Sequence, residues 1–400
     1  MNTNAQRREQ MTKAFQERFR ATPDVWCRAP GRVDLMGSHT DYNLGYVLTL
    51  PIGYDTWIAA RPREDRTVRL YSMALDAASS FRLDPIVPDP QARWSNYVRG
   101  VAQVLQTEGC QLTGFDGVIH STVPMSSGLS SSAALECATA TVFETLGGWT
   151  LDPVKKARLC QRAENQFVGV NCGILDQYTS CAGQEGCALL LDCRDLSSQP
   201  VKLTDGIRAV ICDTKFKREL AGSEYGQRRA QCEEGARLLG VKALREISPE
   251  QIHQRARELP AEVAKRCRFI VEESDRVLKL AAALPDLDRP AIQQLTADSF
   301  RGACDLYEIG APAMHAMMQA MLGAPGIIGA RQAGAGFGGC MVAFVESVRV
   351  DSFAASVRQS YFAATRTQPE VYAVEAAAGA GLVADTAPRL TGLEGTSASP

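Results

Sequence analysis

Polar residues that suit ligand chemistry are concentrated in residues 28–45, which read RAPGRVDLMGSHTDYNLG. Arginine, histidine and aspartate side chains interspersed with glycines are typical of a polar site on a loop, not of a core. His39 alone would more often be a structural histidine, but Thr40 and Asp41 stand beside it. Because these side chains together donate and accept hydrogen bonds, the segment predicts a site for sugar hydroxyls.

A second candidate site is the small-residue segment 124–134, PMSSGLSSSAA, which follows a strand-like run and opens a helical pattern. Backbone N–H groups in such a loop and the positive end of the helix dipole favour a phosphate group. The serine hydroxyls are oxygen ligands of the kind that Mg²⁺ accepts. An ordinary serine-capped helix start is the alternative interpretation.

A third glycine-rich segment, GAGFGG at residues 334–339, matches the pattern GxGxxG. A dinucleotide-binding fingerprint must open a helix, whereas MVAFV at 341–345 predicts a strand, so a Rossmann site is excluded. The sequence also lacks GxxxxGK[ST] and the HRD and DFG motifs, which excludes a P-loop and a protein kinase. Asp176, in NCGILDQY, is a candidate buried carboxylate, although a helix-start aspartate is the commoner role of such a residue.

Composition limits the class of protein. The 400 residues predict two or three domains, and 45% hydrophobic with 22% charged residues is typical of a globular chain. A net charge of −2 without a long basic run argues against a nucleic-acid partner. Thirteen scattered cysteines predict free thiols in a reducing cytosol. We find no signal peptide and no apolar run long enough for a membrane span, so the prediction is a cytoplasmic protein.

The elements that must position these motifs alternate between helix and strand. Apolar periodicity predicts helices at 5–20, 131–146 and 153–168, strands at 25–27, 46–52, 67–71, 117–121, 188–191 and 207–211, and mainly helix over 223–321. Polar turn residues at 197–200 and 204–206 mark a boundary. The predicted organisation is two α+β domains, residues 1–205 and 206–385, with a cleft between them and a mobile tail at 386–400.

The three motifs together resemble those of the galactokinase family within the GHMP small-molecule kinases. The family's N-terminal signature, close to GRVNLIGEHTDYN, is matched by residues 31–43, its second motif by 124–134 and its third by 334–340. The resemblance continues through segments 94–98, 163–164, 172–177 and 223–225. It implies a two-domain GHMP kinase fold, with a ribosomal-protein-like N-terminal domain, a ferredoxin-like C-terminal domain and the active site in the cleft.

The resemblance also implies roles for individual residues. Asp176 matches the catalytic base and Arg32 the cation beside it, while Ser132 and Glu164 match the ligands of Mg²⁺. The matching sugar contacts are Arg32, Ser38, His39, Asp41, Gly173, Asp176 and Tyr225. The matching ATP contacts are Trp94, Tyr97, Pro124, Ser126, Ser127, Gly128, Leu129, Ser130, Ser131 and Ser132. Core packing is the alternative role of the two aromatic residues.

Two departures from the family pattern concern the sugar. Ser38 stands where the family has the glutamate expected to bind the sugar's 6-hydroxyl, and Asp34 stands where asparagine is usual. The resemblance implies ATP-dependent phosphorylation of D-galactose, or of a galactose-configured sugar, at the anomeric hydroxyl. We expect the protein to be a monomer. Because of Ser38, a sugar altered at C6, such as L-arabinose or D-galacturonate, is an alternative substrate. A non-catalytic sensor of sugar and ATP is a further alternative.

Overall fold

A computed structural model describes residues 4–124, 127–216 and 221–383, the side chains of 221–223 excepted, as an α+β protein. The helices are α1 Asn4–Phe19, α2 Asn96–Thr107, α3 Ser131–Gly147, α4 Pro153–Ala163, α5 Leu175–Ala182, α6 Ala221–Leu238, α7 Pro249–Arg255, α8 Ala261–Ala283, α9 Arg289–Asp305, α10 Pro312–Leu322 and α11 Val350–Thr365. The strands are β1 Val25–Met36, β2 Tyr46–Pro62, β3 Thr67–Ser72, β4 Ala77–Arg82, β5 Phe115–Ser121, β6 Cys187–Asp192, β7 Ser198–Lys202, β8 Ile207–Asp213, β9 Ile327–Gln332, β10 Cys340–Glu346, β11 Glu370–Val374 and β12 Gly381–Leu382. None of the described helices is long and apolar enough to cross a membrane.

The first sheet has eight strands in the order β12-β1-β2-β5-β3-β4, with β6 and β7 attached to β2. Its pairs are antiparallel except for β3 with β5. Helices α2 to α5 supply apolar side chains to its core, where Val98, Phe143 and Ala157 are fully buried. Because α3 carries the serine-rich motif at its start, this packing fixes that motif against β1.

The second sheet has four strands in the spatial order β11-β8-β10-β9, and all of its pairs are antiparallel. In chain order its elements run strand, helices, two strands, helix and strand, which is the ferredoxin-like arrangement. Helices α10 and α11 bury methionine and aromatic side chains on one face of it, including Met317 and Phe353. The ferredoxin-like prediction for the C-terminal half is therefore confirmed.

Strand β1 is irregular at two points along its pairing with β2. Its register shifts between Pro30 and Arg32 and again between Asp34 and Met36. Between those points Arg32, Val33 and Asp34 pair regularly, so Arg32 and Asp34 share one face of the strand. The two bulges thus isolate a short segment that presents two charged residues on the same side, beside the serine-rich motif.

The last strand among the described residues, β12, returns to the first sheet. After β11, the chain bridges Ile52 at Ala376, and β12 then pairs with β1 through Cys27 and Arg28. On this path Ala380 N–H donates to Ser180 O of α5 at 2.8 Å. The C-terminal segment therefore closes one edge of the N-terminal sheet.

Most predicted elements agree with the structure, and the differences have local causes. The segment 197–200, interpreted as a polar boundary, lies largely in β7, because strand pairing with β6 satisfies the backbone of a polar edge strand. The predicted helix 153–168 is α-helical only to Ala163 and continues as a π-helical turn, Glu164–Val168. All thirteen cysteines are free, as predicted. The predicted tail at 386–400 lies outside the described residues.

Candidate active site

Arg32 connects the first motif to the second. Its backbone N–H donates to Leu129 O at 3.1 Å, and its Nη1 donates to Gly128 O at 2.6 Å. Its Nη2 lies 2.5 Å from Asp176 Oδ1, and the two side chains are 10% and 27% exposed. One guanidinium therefore joins the serine-rich loop to a carboxylate that solvent can reach.

Asp176 is held by the helix on which it lies. It occupies the first turn of α5, where the helix dipole stabilises a carboxylate. Further along α5, Ser180 Oγ donates to Pro30 O at 2.7 Å, and the hydroxyls of Thr179 and Thr49 are 2.7 Å apart. These bonds fix α5 against β1 and β2, so the position of the Asp176 carboxylate is set by the sheet.

The serine-rich loop bends sharply into α3. Gly128 and Ser130 both have positive φ, and Ser130, at the N-cap of α3, makes no side-chain capping hydrogen bond. The alternative of an ordinary serine-capped helix start is therefore not what the structure shows. Ser127 Oγ donates instead to Pro124 O at 2.7 Å, within the loop. Ser131 and Ser132 are half-buried at the start of α3, and the predicted contact Ser126 lies outside the described residues.

Two buried glutamates lie beside this helix start. Gln177 Nε2 donates to Glu136 Oε2 at 3.0 Å and to Glu164 Oε2 at 2.6 Å, and the Ser132 hydroxyl is close enough to Glu164 to lower its pKa. Burial and the charge of Asp176 raise the pKa of Glu164. Burial and the charge of Glu164 raise the pKa of Glu136, whose Oε1 has no partner among the described residues. A cation would relieve this crowding of acids.

The donor set at this place suits Mg²⁺. The described residues contain no group of three histidine, cysteine or acidic side chains arranged to hold a metal by themselves. Mg²⁺ commonly binds through one or two protein oxygens together with substrate phosphates and water, so such a group is not required. The Ser132 hydroxyl and the Glu164 carboxylate are hard oxygen donors that lie near each other, and they fit that pattern.

The two aromatic residues that are predicted to contact the nucleotide, Trp94 and Tyr97, are both half-buried. Tyr97 is half-buried on α2, and burial together with the charge of Glu164 raises its pKa to about 12. Trp94 is also half-buried and packs against the N-terminal core. Both side chains are thus partly accessible, so the structure leaves ligand contact possible for each of them.

His39, from the first motif, lies in a cage of aromatic rings. Its ring centroid is 4.8 Å from that of Tyr307 and 5.2 Å from that of Tyr225. Its Nε2 donates to Ala335 O at 2.9 Å, in the glycine-rich turn between β9 and β10, and its Nδ1 accepts from Tyr42 Oη at 2.8 Å. A backbone carbonyl can only accept a hydrogen bond, so Nε2 is the donor in the bond to Ala335 O. This bond joins the third motif to the first motif.

Asp41 approaches Gly173 very closely. A Cβ on Gly173 would lie 1.6 Å from Asp41 Oδ2, so only glycine permits this contact. Burial, with a further contribution from the negative charges of Asp176 and Asp34, raises the pKa of Asp41 to about 6. The three carboxylates therefore belong to one electrostatic cluster around Arg32, with Tyr225 beside it.

Ser38 is buried and lies between two charged side chains. Its hydroxyl donates to Asp34 Oδ2 at 2.6 Å and accepts from Arg331 Nη2 at 3.0 Å. Gly37, at φ 112°, makes this turn possible, since a Cβ there would lie 2.8 Å from Tyr46 O. The only hydrogen of the Ser38 hydroxyl is directed at Asp34, so in this arrangement Ser38 can still accept a hydrogen bond but not donate one to a ligand.

Arg331 extends this arrangement into the C-terminal half. It is fully buried on β9, donates to Leu35 O at 3.2 Å, and lies 2.9 Å from Glu273 Oε1 of α8. Burial would raise the pKa of Glu273, but the guanidiniums of Arg276 and Arg331 outweigh it and lower that pKa. The end of β1 is therefore held by charged residues from the other half of the molecule.

The sequence interpretation did not include five residues that the structure adds to this region: Glu136, Gln177, Glu273, Tyr307 and Arg331. Glu136 lies four residues after Ser132, a spacing that places both on one face of a helix, so a signal was present. Arg331 is a charged residue within an otherwise apolar strand pattern, which is a second such signal. Glu273 and Tyr307 lie in helical, charged sequence where nothing local marks them.

Comparison with known proteins agrees with this geometry. The GHMP kinases N-terminal domain model matches residues 96–184, and the galactokinase galactose-binding signature matches residues 13–62. The crystal structure of Lactococcus lactis galactokinase complexed with galactose superposes with a TM-score of 0.88 at 32% identity, covering 94% of this chain and 99% of that one. Mevalonate kinase from Methanococcus jannaschii shares the fold, with a TM-score of 0.63 at 15% identity.

Sequence relatives extend over nearly the whole chain. The protein is 42% identical to the galactokinase of Chloroflexus aggregans over 374 residues, which is 92% of this chain and 95% of that protein. It is 40% identical to the galactokinase of Roseiflexus sp. over 383 residues, 94% of this chain and 98% of that protein. The chain belongs to the galactokinase family of the GHMP kinases.

Proposed function

We propose that this protein transfers the γ-phosphoryl group of ATP to the anomeric hydroxyl of D-galactose or a galactose-configured sugar. The observation that carries the proposal is the position of Arg32, which bonds Gly128 O of the serine-rich loop and Asp176 at once. A phosphate on that loop and a hydroxyl at Asp176 would be neighbours. Family membership and the galactose bound by the Lactococcus lactis relative support the same reaction.

In the reaction, Asp176 accepts the proton of the anomeric hydroxyl. The oxygen of that hydroxyl forms the new bond to the γ-phosphorus, the bond between that phosphorus and the bridging oxygen of ADP breaks, and ADP leaves. Arg32 pairs with the Asp176 carboxylate and faces the transferring group, whose negative charge it stabilises. Positioning and electrostatics carry most of the rate in phosphoryl transfer, and the Arg32–Asp176 ion pair contributes to both.

ATP is bound, in this proposal, by the loop that opens α3 and by the half-buried Trp94 and Tyr97. Ser132 and Glu164 would hold Mg²⁺, which neutralises phosphate charge when it is bound. The uncapped start of α3 supports the phosphate position, because its N–H groups are not used by a side-chain cap.

The sugar is bound by the cluster around Arg32. Asp41 and Tyr225 interact electrostatically with Asp176, Gly173 contacts Asp41, and His39 packs against Tyr225. Together they fit a polyhydroxylated ligand, since they combine aromatic surface with hydrogen-bonding groups. The thirteen free cysteines suit a reducing compartment, so we place the enzyme in the cytoplasm, where we expect it to act as a monomer.

ADP release measured with and without D-galactose tests this function. We expect release that requires the sugar, with one equivalent of sugar 1-phosphate formed per ADP, identified by phosphorus NMR. The Asp176→Asn variant is the control for contaminating kinases. Tight binding of galactose and ATP without ADP release would instead support the sensor alternative, and release that is independent of any sugar would contradict both.

A further inference from the structure

Two buried polar atoms beside the proposed catalytic pair have no hydrogen-bond partner among the described residues. They are the Nε of Arg32 and the Oδ1 of Asp34, on side chains that are 8% and 1% exposed. An unpaired buried donor or acceptor costs free energy, so native proteins rarely leave one without a function. Here one donor and one acceptor occur two residues apart.

The two atoms belong to the same face of β1. Arg32 and Asp34 are separated by one residue within the regular segment between the two bulges, so their side chains project to the same side of the sheet. Asp34 interacts electrostatically with Arg32 and with Asp41, which places it in the same charge cluster as Asp176. The partially exposed Asp176 gives this cluster its opening to solvent.

The other oxygen of Asp34 is firmly held. Ser38 donates to Oδ2, and Arg331 both donates to Ser38 and lies 3.7 Å from Oδ2. Burial raises the pKa of Asp34, while Arg331 acts in the opposite direction. The carboxylate is therefore orientated by residues from both halves of the molecule, and Oδ1 is left for another group.

We propose that Asp34 is a direct sugar-binding residue, whose Oδ1 accepts a hydrogen bond from one hydroxyl of the substrate while Arg32 Nε donates to that same hydroxyl. A hydroxyl is the group that donates and accepts at once, so it satisfies both atoms. The inference deepens the proposed function and rests on it. In this proposal the Asp34 carboxylate recognises one hydroxyl of the substrate, and Ser38 positions that carboxylate.

Binding without ATP separates this contact from catalysis. We would titrate wild type, Asp34→Ala and Asp34→Asn with D-galactose and with its monodeoxy analogues at positions 1, 2, 3, 4 and 6, using calorimetry. The expected result is about a 10- to 100-fold loss of galactose affinity in Asp34→Ala, the usual effect of removing a hydrogen bond to a charged group. Asp34→Asn keeps the shape and one acceptor oxygen, and we expect it to lose less.

The decisive result is the coupling between variant and sugar. One monodeoxy sugar, lacking the hydroxyl held by Asp34, should bind wild type weakly and be affected about equally little by either substitution at 34. The matched control is Asp116→Asn. Asp116 is a buried aspartate on β5 that pairs with Arg63 and Arg69, and its substitution should not change the affinity for any of these sugars.

Three results would overturn the proposal in distinguishable ways. An equal loss for galactose and every analogue in Asp34→Ala would show that Asp34 only supports the fold, or that a buried water satisfies the two atoms. Galactose binding that is unchanged in Asp34→Ala would exclude the contact while leaving the kinase function intact. A wild-type protein that binds none of these sugars would refute the proposed function, and the contact with it.

Discussion

The phosphate side and the sugar side of this active site are built differently. On the phosphate side, the loop that leads into α3 is one continuous stretch, and we propose that backbone N–H groups at its uncapped helix start bind the phosphates. The sugar side is assembled from β1, α5, α6 and the turn between β9 and β10, with His39 bonded to Ala335 across the two halves. The phosphate-binding loop is therefore local in sequence, whereas the sugar side is not.

This difference has a physical consequence for how each side tolerates change. A backbone site depends on loop conformation, such as the positive φ of Ser130, and little on individual side chains. A side-chain site depends on a buried network, in which removing one partner leaves another charge unpaired. We therefore expect substitutions on the phosphate side to change nucleotide and metal use, and substitutions on the sugar side to change both sugar choice and stability.

The largest expected effect is at the junction of the two sides. Asp176→Asn or Asp176→Ala should lower kcat by about 10²- to 10⁴-fold, because each removes the proton acceptor. The melting temperature should fall only modestly, since this carboxylate is 27% exposed. Steady-state kinetics and thermal unfolding of the same preparations test this. Wild-type turnover in a correctly folded variant would remove Asp176 from the mechanism.

On the phosphate side, Ser132→Ala combined with Glu164→Ala should raise the Mg²⁺ concentration needed for half-maximal rate by about 10- to 100-fold. Both side chains are assigned to the metal and neither to the sugar, so galactose binding in the absence of ATP should stay close to wild type. Mg²⁺ titrations at saturating ATP and calorimetric galactose titrations provide the two measurements. An unchanged Mg²⁺ requirement would contradict the assignment.

On the sugar side, we expect wild type to phosphorylate L-arabinose or D-galacturonate appreciably relative to D-galactose. Ser38→Glu should shift the ratio of kcat/KM toward galactose by about tenfold, through a hydrogen bond to the 6-hydroxyl. The new carboxylate would also lie beside Asp34, so the melting temperature should fall less when Asp34→Asn is present as well. Strong galactose selectivity in wild type that Ser38→Glu leaves unaltered would show that C6 is recognised elsewhere.

The smallest expected effect is the pH dependence due to Asp41. Its pKa is raised to about 6 in the folded protein, above the usual value near 4, so its contribution to stability decreases as pH rises between these values. Asp41→Asn should therefore raise the melting temperature at pH 8 but not at pH 4.5.

The same titration should affect sugar use in the opposite sense. The ionised Asp41 carboxylate is the stronger hydrogen-bond acceptor, so KM for galactose should increase as pH falls below about 6. This pH dependence should disappear in Asp41→Asn. If wild-type KM is constant between pH 5 and pH 8, Asp41 does not bind the sugar in its ionised form.

The contrast between a local loop and a non-local side-chain network also explains how much of the site can be predicted from the sequence. The start of α3 at Ser131 is predictable, because small residues, a preceding strand and a following helical pattern are all adjacent in the chain. The fold class also follows from local periodicity, although β7 was interpreted as a linker. The pairing of Ser38 with Arg331 is not predictable in this way, since 293 residues separate them and no local pattern connects them.

Asp34 illustrates the limit most clearly. From the sequence it is a departure from the family pattern whose effect cannot be assigned. In the structure its two oxygens have different surroundings, one bonded to Ser38 and one without a partner, and this difference gives the residue a testable role. Such information arises only when strand register and the packing of the second domain are known.

The return of the last strand to the first sheet has a consequence for biosynthesis. Arg28 Nη1 bonds Ala378 O across 350 residues of chain, and the neighbouring Ala380 N–H holds Ser180 O on the helix that carries Asp176. At roughly 5–20 residues per second, a ribosome needs about 20–70 s to make that interval. Throughout this time the nascent chain has an unpaired edge at β1, the kind of edge that invites aggregation or chaperone binding. The edge of β1 is therefore completed only after residues 378–382 have been synthesised.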